Sequence, residues 1–271
     1  MKNEMMNEKL LGAMRRAALQ EYPNEACGLL VNTRANKYEL ILCRNVADEP
    51  ENYFVMHAED QIAAERAGEV VGVWHSHTDE DNQASEADMS GCEASELPWF
   101  IINISKNYNP EIDAEYRFSD VNVIKPSGFE MPYEGRPYAF GVFDCWLLCR
   151  DYLKREKNVA IGVCPELHIP SWWEKGVDIL NDNFQSQDLI RLPPGTPRQN
   201  GDIFFMQLAS QVPDHCAVYI GDGMILHHQM DRLSCKAIYG GMYEKHTTHH
   251  LRHKDLMSGR THECLVFERY G

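Results

Sequence analysis

Residues 73–88 read Val73-Trp74-His75-Ser76-His77-Thr78-Asp79-Glu80-Asp81-Asn82-Gln83-Ala84-Ser85-Glu86-Ala87-Asp88. An apolar run enters two histidines one residue apart, a polar loop follows, and an aspartate stands eleven positions after the second histidine. On a strand, side chains two apart share a face, so both imidazoles project together. Catalytic zinc takes three ligands of the His or carboxylate type and keeps one position for water, and this spacing offers such a set. The same letters also fit a strand end running into a capped helix, because Ser85-x-x-Asp88 is a capping pattern.

The flanks read as an alternation of helices and strands. A helix to about Tyr22 precedes strands at 26–31 and 38–43, a short extended run Phe54-Val55-Met56, and a helix over 59–68 with Ile62, Ala63 and Ala67 on one side. Residues 70–74 form a strand ending at the histidines, and 99–104 form another. The Pro/Gly-rich segment after Lys125 reads as a linker. Beyond it come helices at 145–157 and 172–184, a strand at 203–206, and strands at 217–220 and 224–226 on either side of Gly221-Asp222-Gly223, a hairpin signal. This gives an α+β chain of two domains, 1–124 and 138–271, joined by a linker at 125–137.

Length and charge narrow the function. The 271 residues exceed one typical domain, and a net charge of −15 disfavours a nucleic-acid partner, which clustered Lys and Arg would recruit. The first residues carry charges throughout and read as an amphipathic helix, neither a signal peptide nor a membrane-inserting segment, so the chain is expected in cytoplasm. Nine cysteines without paired C-x-x-C spacing argue for reduced thiols.

His-Ser-His, seven residues, Ser, two residues, Asp, together with Glu25 in Asn24-Glu25-Ala26-Cys27-Gly28-Leu29-Leu30, resembles the JAMM metalloprotease motif of the MPN-domain family. The resemblance implies a mixed α/β sandwich in which His75, His77 and Asp88 hold Zn2+, Glu25 takes a proton from the zinc-activated water, and Ser85 donates to the oxyanion. Thr78 stands where proline is common in the family, which implies a looser loop.

A second constellation begins at Tyr138-Ala139-Phe140-Gly141-Val142-Phe143-Asp144-Cys145-Trp146, which puts Cys145 at a helix start, where the dipole favours thiolate. Asp214-His215-Cys216-Ala217-Val218-Tyr219-Ile220-Gly221 begins a strand with a histidine that can serve as base. The pair resembles the NlpC-type cysteine peptidases, papain-like enzymes that cleave peptidoglycan peptide stems. The resemblance implies Cys145 as nucleophile, His215 as base, His227 as the residue orienting it, and Tyr138 as an active-site tyrosine. A three-residue loop at 221–223 pairs Ala217 with His227, whereas a two-residue loop turns His228 to that face instead. His246, His249, His250 and His253 fall at helical spacing and are expected on a solvated helix face, with metal binding as the rival reading.

A JAMM domain followed by an NlpC-type domain in one short chain is similar to the tail-tip assembly proteins of lambda-like siphophages. That implies a bifunctional hydrolase made in the host cytoplasm and carried at the virion tail tip, with other tail-tip proteins as partners. Two rival readings stay open: a non-enzymatic assembly factor using both folds as binding modules, and a cytosolic deconjugating metallopeptidase.

Overall fold

The computed structural model describes residues 7–33, 37–109, 114–162 and 171–257. The chain is α+β and divides into two compact units, Met1–Pro132 with Phe140–Val142, and Tyr133–Ala139 with Phe143–Gly271.

The first unit opens with helix α1, Glu8–Glu21, capped by the Asn7 side chain, which accepts from the Leu10 N–H at 3.0 Å. Its buried residues Leu10, Met14, Ala17 and Ala18 recur at helical spacing and pack against a sheet. That sheet contains β1 (Cys27–Thr33), β2 (Tyr38–Cys43), β3 (Gly68–Thr78), β4 (Trp99–Asn109), β5 (Ala114–Phe118) and β6 (Asn122–Ile124). The order is β2-β1-β3-β4-β5, with β6 also on β4. Helix α2, Ala58–Ala67, lies between β2 and β3, and α3, Glu86–Ser95, connects β3 to β4, the one parallel pair among the described strands of this sheet. Trp74, Phe100, Ile102 and Ile104 form the core under α1. Val73 and Trp99, with Ala64 of α2 and Cys92 of α3, form the core on the other face. The result is the expected sandwich.

Three local expectations shift. The buried residue of α2 is Ala64, while Ile62 is exposed, because only one turn of this short helix touches the sheet. Phe54-Val55-Met56 forms only an isolated bridge, Met56 with Asn45. The 125–137 segment is tied at both ends: the Ser127 and Phe129 amides donate to Glu93, and buried Arg136 pairs with Asp151 at 2.6 Å.

The second unit centres on α4, Cys145–Lys157, and a sheet of β7 (Leu189–Arg191), β8 (Ile203–Met206), β9 (His215–Gly221), β10 (Met224–His227), β11 (Cys235–Ile238) and β12 (Thr247–His253), in the order β11-β10-β9-β8-β12-β7. Asp144 caps α4 by accepting from the Leu147 N–H at 2.9 Å, and Leu148, Cys149, Tyr152 and Leu153 form its buried stripe. Short helices α5 (Ile179–Asn183) and α6 (Met242–Lys245) complete the described elements of note.

The expected helix at 172–184 shortens to α5. Ser171 and Gly176 take positive φ, which breaks the helical path, and Asp178 starts a new turn by accepting from Asn181. His249, His250 and His253 lie on β12, and His246 ends the short helix α6: His249, Leu251 and His253 are buried alternately, and the strand pairs with β8. His250 and Arg252 face Asp202, a fully buried carboxylate, at 2.6 Å each. They are structural partners of that carboxylate.

Gly28 lies between β2 and β3, and a Cβ there would stand 2.4 Å from the Ile41 carbonyl oxygen. Gly28→Ala is therefore expected to destabilise the first unit by about 1–3 kcal/mol, read as a lower unfolding midpoint in denaturant. An unchanged midpoint would show that β2 yields freely.

Candidate active sites

The first site forms where β3 ends and α3 begins. Alternation puts Val73, His75 and His77 on the α2/α3 face of the sheet, and Trp74 and Ser76 on the other. Ser76 does not enter the site. Its hydroxyl accepts from the Ala26 N–H, and its own N–H donates to the Ala26 carbonyl, both at 2.9 Å, which fixes the start of β1 and with it Glu25.

Ser85 and Asp88 form a reciprocal capping box at the start of α3. The Ser85 amide and hydroxyl both donate to Asp88 Oδ2 at 2.8 Å, so the hydroxyl is committed to the aspartate. Asp88 Oδ1 then lies 3.1 Å from His75 Nε2 and Oδ2 3.2 Å from His77 Nε2, while the two Nε2 atoms stand 3.1 Å apart. His77 Nδ1 donates to the Asp81 carbonyl at 2.9 Å, which leaves Nε2 as the ligand nitrogen. The His75 ring is held between Phe54 and Trp99, at centroid distances of 4.7 and 5.6 Å.

All three donors are buried, and no other such group of His, Cys, Asp and Glu occurs among the described residues. Two facing imidazole nitrogens beside a buried carboxylate call for a cation between them. Their separations are close to the roughly 3.3 Å edge of a tetrahedron with zinc–nitrogen bonds of about 2.0–2.1 Å. The residues fit zinc.

Glu25 lies at the edge of this set, buried, and burial pushes its carboxyl up to about 8, partly offset by His77. The loop after His77 is not loosened by Thr78. Asp79 accepts from the Tyr22 hydroxyl and from the Lys106 N–H, and its own N–H donates to the Ile104 carbonyl at 2.9 Å.

The second site forms where α4 packs on β9. Cys145, the first residue of α4, is half-buried, while Cys149 and Cys216 are fully buried. Hydrogen bonds from the Cys216 thiol and from His215 hold the Cys145 thiol well below its ordinary value, against the effect of burial. His215 Nε2 stands 3.1 Å from His227 Nδ1. Burial, with His215 and His228 nearby, lowers His227 to about 4, so it is neutral near pH 7 and accepts the His215 N–H. His215 Nδ1 is thereby left for the thiol.

The β9–β10 hairpin reaches the expected register by a different route. Asp222 and Gly223, both at positive φ, make a two-residue turn closed by Gly221 with Met224. A bulge then shifts the register by one, so Ala217 opposes His227 after all. His228 faces elsewhere: its Nε2 donates to the Arg232 carbonyl at 3.0 Å, and its ring meets Tyr138 edge-on at 5.1 Å.

Sequence reasoning did not single out Ser76, Phe54, Trp99 or Cys216, nor Tyr243, whose ring packs on His227 at 4.9 Å. Strand alternation offered a signal for Ser76 alone, since the residue between two same-face ligands must point to the opposite core.

Residues 7–118 match the family described as prokaryotic homologs of the JAB domain, and residues 135–252 match the NlpC/P60 family. The chain is 35% identical over 262 residues to the tail tip assembly protein K of Escherichia phage N15, covering 93% of this chain and 97% of that protein. It is 30% identical over 200 residues to the tail tip assembly protein K of Escherichia phage lambda, covering 73% and 89%. Among solved structures, an NlpC/P60 family protein from Bacillus cereus aligns at 11% identity over 88% of this chain and 65% of that chain, with a TM-score of 0.31.

The Cys145 environment sets a pH test. Because its thiol is held below the ordinary range, iodoacetamide labelling of Cys145 should stay fast as pH falls from 8 to 6, whereas labelling of free cysteine in the same buffer slows about tenfold per unit below its pKa of ~8.5. His215→Ala removes a hydrogen bond to the thiolate, raises the Cys145 pKa, and should slow its labelling at pH 6.5 about tenfold or more. Peptide mapping after brief labelling reads both. Equal pH profiles for Cys145 and free cysteine would refute the thiolate assignment.

Proposed function

The chain belongs to the tail tip assembly protein K family of lambda-like phages, with a JAB-type domain followed by an NlpC/P60 domain, and from that premise we propose that it is a hydrolase with two amide-cleaving sites. In this reading the second site cuts the peptide stems of peptidoglycan during tail assembly or genome delivery. The chain is made in the host cytoplasm, joins other tail-tip proteins, and meets the cell wall as part of the virion.

The observation that carries the reading is the line from Cys145 through His215 to His227. The Cys145 thiolate attacks the scissile carbonyl carbon, the amide C–N bond breaks, and protonated His215 gives its proton to the leaving amine. Water then hydrolyses the thioester with His215 as base. Neutral His227 accepts the His215 Nε2–H and fixes the ring and its tautomer, so its loss should be milder than loss of His215. Tyr138, edge-on to His228, is assigned to the wall of this site.

In the first unit, His75, His77 and Asp88 would hold zinc, which supplies a Lewis acid and a water acidified to a pKa of ~7. Glu25, buried beside this set, would be the carboxyl that holds and passes on the proton there. Ser85 keeps the Asp88 carboxylate oriented through its hydroxyl, and donation to an oxyanion would require that hydroxyl to turn away from Asp88.

Two experiments test the sites separately. The purified chain should contain about one zinc ion by elemental analysis, and His77→Ala or Asp88→Asn should release it, because two ligands leave an incomplete shell. Retention of full zinc by both variants would rule out this ligand set. For the thiol site, the full chain carrying an added export signal should lyse bacteria and release wall peptides. Cys145→Ala and His215→Ala should abolish lysis, and His75→Ala should leave it intact. Folded, exported chain that releases no wall peptides would favour the non-enzymatic assembly role.

A further inference from the structure

The loop from Asp79 to Ala84 joins His77 to the helix that carries Asp88, and its middle is held by two asparagines outside the ligand set. Asp81 gives its carbonyl to His77 Nδ1 at 2.9 Å, and its own carboxylate accepts the Gln83 N–H at 2.8 Å, which fixes the turn that presents the carbonyl. The next residue, Asn82, is held twice. Its Nδ2 donates to the Asp120 carbonyl, and its carbonyl accepts from Asn122 Nδ2, both at 2.8 Å.

Both anchors lead back to the strands of the site. Asn122 on β6 pairs with Ile101 on β4, and Ile101 pairs with His75 on β3, so Asn122 and His75 stand in one row on the same face of the sheet. Asn103, the β4 partner of His77, donates its N–H to the Ser119 hydroxyl at 2.8 Å, and that hydroxyl donates to the Asp120 carbonyl at 2.7 Å. The Asp81 carbonyl is thereby tied, through Asn82, to the strand beside the histidine it meets.

We propose that Asn82 and Asn122 are positioning residues of the metal site: by fastening the loop to β6 and to the turn before it, they keep the Asp81 carbonyl on His77 Nδ1 and His77 Nε2 turned toward His75 and Asp88. The acceptor on one ring nitrogen decides which nitrogen is left as ligand and how the ring is oriented. Without the two amide donors the loop would keep its ends, at Asp79 and at the Ser85 cap, and lose its middle. Asp81 is exposed, so water would then compete for the His77 Nδ1–H. The inference rests on the reading of His75, His77 and Asp88 as zinc ligands, and its test keeps the two apart.

The full chain is loaded with zinc and titrated with a chromophoric chelator. Asn122→Ala, and Asn82→Asp, which keeps the size of the side chain and removes its donor, should each raise the zinc dissociation constant about tenfold. Should Asn122→Ala fail to fold, Asn82→Asp decides the question. Proton NMR of the zinc-loaded chain with isotope-labelled histidine reads the link itself: the His77 Nδ1–H should exchange slowly with water in the unaltered chain and markedly faster in the variants. A merely structural role would lower the unfolding midpoint and leave this exchange unchanged. If the variants bind zinc as tightly as the unaltered chain, the inference falls and the ligand set stands. Weaker zinc binding with a His77 Nδ1–H that still exchanges slowly overturns it as well, because the asparagines would then act by a path other than His77. An unaltered chain that takes up no zinc overturns the ligand reading and the inference with it.

Discussion

The hydrogen bonds between Ser85 and Asp88 are the constraint on which the first unit depends. They start α3, and so determine where the chain turns back from β3 toward the parallel strand β4. They also use up one side of the Asp88 carboxylate, which aims its oxygens at His75 and His77. The helix cap and the aim of the carboxylate at the two imidazoles are here one geometry. The crossover and the site cannot be separated: a carboxylate displaced from its cap would leave two buried imidazoles without a counter-charge.

A helix start also organises the second unit, with the parts exchanged. Asp144 caps α4 and is spent on the backbone, while the next residue, Cys145, takes the position nearest the positive end of the helix. Where α3 delivers a carboxylate to two imidazoles, α4 sets the positive end of its dipole beside a thiol. The partner in each case comes from a strand: His75 and His77 from the end of β3, His215 from the beginning of β9. The adjacent residue does other work, Ser76 holding the start of β1 and Cys216 meeting the Cys149 sulfur at 3.8 Å.

What the sequence made legible was local or set by parity. Two histidines two apart on a strand and an aspartate at the third position of a capped helix follow from short-range rules, and both appear as read. The misreadings have non-local causes. His246, His249, His250 and His253 fit a helical period, but from Thr247 on the pairing with β8 and β7 draws the last three into a strand, and Asp202, nearly fifty residues earlier, holds His250 and Arg252 by hydrogen bonds. Residues 172–184 carry the composition of a helix, and a positive φ at Gly176 stops it. Cys216 is one letter beside the base in sequence, and its meaning comes from α4, which lies across the sheet.

The bulge in the β9–β10 hairpin works as a parity bit. Ile220 is the unpaired residue between the Gly221–Met224 and Tyr219–Ile225 pairs, and leaving it out of the ladder makes His227, not His228, the residue opposite Ala217. Were Ile220 drawn into the ladder opposite Ile225, every later pair would move by one and His228 would stand opposite Ala217. In most hairpins such a slip replaces a working side chain by one from the opposite face. Here it exchanges imidazole for imidazole, so a slip at this bulge would set one histidine ring where the other had been.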